Sequence, residues 1–278
     1  MHPHLAFGIT ARDAAEAALL GLEVEALGYD ELWVNDTPRG DGLQTAAAAA
    51  AATTHLDVGL GVAALSGASP AEIAERVRRA EIPAQRLTFG VGSGSSSSLE
   101  LVTTGVAELR SLLPGQRLAV AAVGPRMARL AGGIADAVVA NWALPERLAE
   151  LRELIAEGAA AEGRPPPRLV GYVRVATGAE AERRMRAEME RYAGAGQHYS
   201  RAFEAQGGGL IGVAIESADP EELAEALAPY HAEVDTVVVR GLPAGDTLKA
   251  WLEVARAAAP VSGGESPPER QGPSAGSR

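Results

Sequence analysis

Apolar residues fall along this chain in two alternating rhythms. Short, almost continuous apolar runs occupy 5–9, 31–35 (ELWVN), 56–64 (LDVGLGVAA), 87–91, 117–123 (RLAVAAV), 135–141, 169–176 and 235–240. Such runs suit parallel strands buried on both faces. Between them the apolar spacing is helical. Asp13 caps a helix that stops at Gly28, and Pro70 opens one predicted over 70–84. Further helices are predicted over 43–54 and 99–113, from Pro125 onward, and over 145–162, 179–205, 220–230 and 246–258. Residues 210–215 read either as a short extra strand or as an extended lead into the helix capped by Asp219.

Eight strand–helix units in about 250 residues is the arithmetic of an α/β (β/α)8 TIM barrel. An open doubly wound sheet is the second reading. Residues 1–260 are expected to form one domain. Residues 261–278, rich in Pro, Gly and Ser, are expected to be a disordered tail.

Composition narrows the function classes. The 278 residues carry a net charge of -11, a field that repels a phosphate backbone, so nucleic acid is not an expected partner. With no cysteine, disulfides, thiolate zinc sites and cysteine nucleophiles are excluded. No apolar run reaches the ~18 residues of a spanning helix, so no membrane partner is expected. MHPHLAFGIT lacks the basic start and apolar core of a signal peptide, and a cytoplasmic location is expected.

Four stretches carry candidate chemistry, each with an ordinary structural reading beside the functional one. RLTFGVGSGSSSS, 86–98, is neither a P-loop nor a dinucleotide fingerprint. In a barrel it is the fourth strand–helix corner, on the face where sites are built, unless it is only a flexible loop. Asp36, just past the second strand, could accept a hydrogen bond from a ring N–H, act as a base, or cap a turn. Gly59 and Gly61 with Ala63, Ala64 and Leu65 leave room for a flat ring, or simply pack the barrel. In AAVGPRM, 121–127, Gly124 and Pro125 open a helix beside Arg126, which is either a ready anion site or an ordinary helix start. The histidines, at 2, 4, 55, 198 and 231, have no metal-ligand spacing and read as surface or packing residues.

Taken in order, LGYDELWVND, ATTHLDVGLGVA, SPAEIAERVRRAE, RLTFGVGSG, AAVGPRMARLAGGIADAVVANW and SADPEELAEAL…VDTVVVRG resemble the luciferase-like monooxygenase superfamily over most of residues 5–258. The resemblance implies a bacterial luciferase-like barrel that binds FMN or the deazaflavin coenzyme F420 at the C-terminal ends of its strands. The GPRM…AD…N pattern and the short length resemble the F420 branch, which includes methylenetetrahydromethanopterin reductase. That branch implies hydride transfer to or from a small-molecule substrate. An FMN monooxygenase, or a cofactor-binding paralogue without turnover, is the alternative.

The resemblance also assigns positions. Asp36 would sit near the ring as the catalytic residue. A third-strand bulge, often with a non-prolyl cis peptide, would fall around Ala63–Ser66 and back the ring. Gly92 and Ser93 would lie beside the ring or its side chain, and Val123, Gly124, Pro125 and Arg126 would hold the ribityl-phosphate end. Asn141 and Trp142 would line the sixth-strand end. Two groups common in relatives are replaced: Thr37 follows Asp36 where a histidine is usual, and Ser95 stands where an acid often follows the fourth-strand glycines. Relatives are often dimers, so a homodimer is compatible with the resemblance.

Overall fold

Eight parallel strands close on themselves in the computed structural model, which describes residues 4–37 and 40–260. They are β1 (His4–Thr10), β2 (Glu31–Asn35), β3 (Asp57–Ala64), β4 (Leu87–Gly92), β5 (Arg117–Ala122), β6 (Ala137–Asn141), β7 (Arg168–Thr177) and, after a short β8 (Val213–Ile215), β9 (Thr236–Gly241). Each of β1–β6 pairs with the next, β6 pairs with β7, β7 with β9, and β9 with β1. The β6–β7 pairing closes the ring and rules out the open sheet. β8 stays outside it, paired only to residues 175–177 of β7, so the extra-strand reading of 210–215 holds for its last three residues. The tail expected over 261–278 lies outside the described residues. Among those described, no helix is long and apolar enough to cross a membrane.

Among the described residues, ten helices cover the ring: α1 (Ala14–Ala26), α2 (Gly42–Ala52), α3 (Pro70–Arg79), α4 (Leu99–Leu112), α5 (Pro125–Ile134), α6 (Pro145–Ala161), α7 (Ala181–Ala195), α8 (Gln197–Ala205), α9 (Pro220–Glu233) and α10 (Leu248–Ala257). Local chemistry sets their starts. Asp13 accepts from the N–H groups of Ala15 and Glu16, and Ser69 with Glu72 forms a reciprocal capping box on α3. α3 stops five residues short of the predicted end. Ile82 precedes Pro83, and the proline ring disfavours helical geometry in the residue before it. The single helix predicted over 179–205 divides into α7 and α8 at Gly196, whose backbone is extended.

Two cores result. Outside the ring, strand and helix side chains form one continuous apolar layer that includes Phe7, Leu20, Ile73, Phe89 and Val106. Inside it, Trp33 and Tyr172 dominate, surrounded by Ala6, Ala119, Ala137, Val139, Val170 and Val238. The two rings meet edge to face, with centroids 5.8 Å apart. Glycines on β3 make the space: a Cβ on Gly59 would overlap the Trp33 indole, and one on Gly61 would overlap the Tyr172 hydroxyl. The room that the sequence suggested for a ligand ring at these two glycines is thus filled by the protein's own aromatics. Beneath, Trp33 Nε1 donates to the buried Glu31 carboxylate (2.7 Å), which also pairs with Arg168 across the barrel.

A third, smaller cluster sits over the C-terminal mouth. Met185 of α7, Phe203 of α8 and Ile211 pack on Trp142 and Leu242. Tyr192 and Tyr199 join its edge, so α7 and α8 roof part of the opening.

Gly59→Ala is expected to lower stability by about 1–3 kcal/mol, because the added methyl has no space beside the indole. Chemical denaturation checks this, with Gly245→Ala as control, since a Cβ there would meet no atom within 4 Å.

Candidate functional site

The strand ends of the mouth are polar, although the barrel below them is apolar. Asn35 ends β2, Asn141 ends β6, Arg174 lies near the end of β7 and Arg240 near the end of β9. Both arginines are buried, at 1% and 5% exposure. Arg174 donates to Asn141 Oδ1 and to the Tyr192 hydroxyl (3.0 Å), and its guanidinium lies over the Trp142 ring, 4.2 Å from the centroid. Arg240 donates through Nε to Asn35 Oδ1 (2.9 Å) and through a terminal nitrogen to Gly241 O. All four acceptors are neutral. Burial, and then the like charge of Arg174, push the Arg240 pKa down to about 10, so it keeps its charge at neutral pH.

Asn35 Nδ2 in turn donates to Gly61 O (3.0 Å). The Gly61–Val62 peptide is cis, and β3 loses register with β4 between Leu60 and Ala63. The irregularity expected around Ala63–Ser66 therefore begins two residues earlier. It brings Val62 to the centre of the mouth, where its side chain faces both Gly90 and Gly92 of β4.

Three cavities meet at Val62. A central one of about 190 Å3 reaches Asn35, Asp36, Asn141 and Tyr172. The Tyr172 hydroxyl there is buried without a partner among the described residues, and burial pushes its pKa up, so it is a neutral donor. A second cavity, of about 560 Å3, opens from the first along β4 and β5, sharing Val62, Ala121, Val123 and Tyr199 with it. A third, of about 640 Å3, lies on the other side, over Asp36, Thr37 and Arg76.

The predicted site residues divide among these spaces. Ala64, Gly92, Ser93, Val123, Gly124, Pro125 and Arg126 all line the 560 Å3 cavity. Asn141 lines the central one as the acceptor for Arg174. Ala63 is buried and borders the 640 Å3 cavity. Leu65 turns away and packs against Gly105 of α4, so it lines none of the three. Asp36 borders two cavities, but its carboxylate is engaged. Oδ1 accepts from Gly42 N (3.1 Å), completing the cap that Asp41 makes on α2, and Oδ2 pairs with Arg76 (3.3 Å). Thr37 forms an isolated bridge to Gly40, and Ser95 is exposed with its N–H on Ser66 Oγ (3.3 Å).

The N-terminus of α5 has no side-chain cap among the described residues. Gly124 caps α5 with no side-chain hydrogen bond, and a Cβ there would project into open space. Arg126 is exposed on the cavity wall and makes no ion pair among the described residues. Residues that sequence reasoning passed over complete the picture. His198 and Arg201 of α8 lie on the opposite wall. His198, first read as a surface or packing residue, stacks on Tyr199 at 4.2 Å, and burial lowers its pKa. Arg174, Arg240 and Tyr172 gave no signal in sequence except their place in otherwise apolar strands, where an arginine is costly without a purpose. Among the described residues, no group of three or more His, Asp or Glu is placed to hold a metal.

No curated protein matches the chain in sequence. Solved structures do match its fold. An F420-dependent secondary alcohol dehydrogenase in complex with an F420-acetone adduct superposes with a TM-score of 0.71 at 14% identity, over 92% of this chain and 98% of the other. The coenzyme F420-dependent tetrahydromethanopterin reductase from Methanopyrus kandleri superposes at 0.66 and 16% identity, again over 92% and 98%. The oxygenating constituent of 3,6-diketocamphane monooxygenase from the CAM plasmid of Pseudomonas putida, in complex with FMN, superposes at 0.60 and 14%, over 93% and 97%. At these identities the likeness is one of fold. In sequence, residues 3–107 and 100–247 match the family described as luciferase-like monooxygenase. With that pattern running through both halves of the barrel, the chain belongs to the luciferase-like monooxygenase family.

Proposed function

We propose that this chain is a coenzyme F420-dependent oxidoreductase acting on a small organic substrate. The observation that carries the proposal is the continuous cleft from the unpartnered Tyr172 hydroxyl, past Val62, to the free N-terminus of α5 at Gly124 and Arg126. A flat ring with a phosphate-bearing tail fits its shape and its donors. The deep end offers backbone, Val62 and one neutral hydroxyl, while the outer end offers uncapped N–H groups and a cation. F420 differs from FMN in carrying an acidic tail beyond its phosphate. Arg201 adds a second cation across the same cavity, in a chain whose net charge is -11, and this favours the deazaflavin.

When bound, the deazaflavin supplies hydride exchange at its C5 with the substrate. The protein's own residues hold, orient and exclude water. Gly90 and Gly92 allow the Val62 side chain to lie against β4, which sets the depth of the cleft. Tyr172 donates a hydrogen bond at the floor, and Tyr192 and Tyr199 roof it. Asp36, held by Arg76 and Gly42, acts by orientation rather than as a free base. His198 lines the outer cavity with its pKa lowered by burial, so it offers the tail end a neutral ring.

Fluorescence titration of the purified protein with F420 and with FMN tests the cofactor. Selective F420 binding is expected. FMN binding alone would support an FMN monooxygenase instead, and binding of neither would indicate a barrel without a working site. Arg126→Ala is expected to weaken F420 about 10- to 100-fold, the range for one charge-assisted contact, with an unchanged melting temperature. Asp36→Ala is expected to cost about 1 kcal/mol of stability through the lost α2 cap and to lower turnover at saturating cofactor. Full turnover in that variant would reduce Asp36 to a structural cap.

A further inference from the structure

A fourth cavity, of about 520 Å3, opens between α7 and the ends of β1 and β9, on the far side of the mouth from Arg126. Its charges do not balance. Glu188 and Asp246 line it, but each is already paired, with Arg191 and Arg12 respectively. Arg184 also lines it and is spent on the carbonyls of Thr177, Ala179 and Leu242. Arg240 remains. It is 5% exposed, its two hydrogen bonds go to Asn35 and Gly241, and its second terminal nitrogen donates to no described residue. Glu188 is near enough to act on Arg240 electrostatically, but no carboxylate contacts the guanidinium among the described residues. A buried guanidinium with no carboxylate in contact is costly to desolvate, and an incoming anion offsets that cost where a neutral molecule would not.

We propose that this cavity is a substrate subsite that takes the carboxylate of a small organic acid, with Arg240 gripping it from the floor. The inference rests on the reading of the chain as an oxidoreductase, and it names the class of substrate. The walls suit an acid with an apolar body. The Trp251 ring stands beside Arg240, its centroid 5.2 Å from the guanidinium carbon, and Leu242 and Pro243 complete the apolar side. With one free terminal nitrogen and these apolar neighbours, the site offers a carboxylate what it needs and offers a phosphate dianion too few donors. The subsite is linked to the ring cleft through a hydrogen-bond relay: Arg240 holds Asn35, and Asn35, which lines the cleft, holds the Gly61 carbonyl of the cis peptide.

Calorimetric titration of the full-length protein with butyrate and hexanoate, against butyramide and hexanamide, tests the subsite. Each acid is expected to bind at least about 10-fold more tightly than its amide, the margin of one charged contact. Arg240→Gln is expected to erase the difference. Because Arg240 is buried, a second variant guards against misfolding. Gly245→Trp fills the same cavity from a position where a Cβ meets no atom, and it is expected to block both acids while the melting temperature stays unchanged. Equal affinity for acid and amide, no binding of either, or acid binding that survives both variants would overturn the subsite. F420 affinity measured on the same samples separates the two readings. F420 binding without acid preference sinks the subsite alone, whereas acid preference without F420 binding sinks the cofactor reading alone.

Discussion

The edge-to-face contact of Trp33 and Tyr172 fills the inside of the barrel, and the mouth is built on top of it. Eight-stranded barrels have an interior just wide enough to be filled by side chains. This chain fills it unevenly, with two large aromatics and a surround of alanine, valine and glycine. The pair fits only because β3 carries glycine at both 59 and 61. The same two glycines surround the point where β3 leaves regular register, so the packing of the core and the shape of the cleft floor share one short segment. The polar end of Tyr172 is then delivered, without a partner, to the place where the apolar interior gives way to the site.

Above that plug the charges follow a simple division. The side of the mouth over β4 and β5 has its cations at the rim, on Arg126 and Arg201, where water still solvates them. The side over β7 and β9 has them buried, on Arg174 and Arg240, held by amide and hydroxyl oxygens and by aromatic faces instead of carboxylates. A rim cation attracts a charged tail and lets it go, whereas a buried one makes a steeper choice between a charged and a neutral ligand.

Much of the architecture was legible in the sequence because buried parallel strands announce themselves as apolar runs and helix starts as Asp13, Pro70 and Asp219. The corner where α5 meets the 560 Å3 cavity was legible for a related reason: Gly124, Pro125 and Arg126 are adjacent in sequence, and a helix start is local chemistry. The rest of the site is not local. Arg174, Arg240, Tyr172 and Asn35 come from three different strands, and they meet only because the ring closes and every strand points its inner side chains to one axis. Of the two readings left open at Gly59 and Gly61, room for a ligand ring or barrel packing, the second holds: the space belongs to Trp33 and Tyr172. The true end of α3 was written in Ile82–Pro83 and was overrun by a strong helical periodicity.

Val62 touches all three cavities that meet at the mouth, and its two methyl groups rest against positions 90 and 92 of β4. The three positions form a steric lock. A bulkier residue at 62 narrows every chamber together, and any side chain at 90 runs into Val62 and the Leu60 carbonyl. A chamber can therefore be reshaped alone only from its outer wall, on α7, α8 or the loop after β9, while the others keep their form.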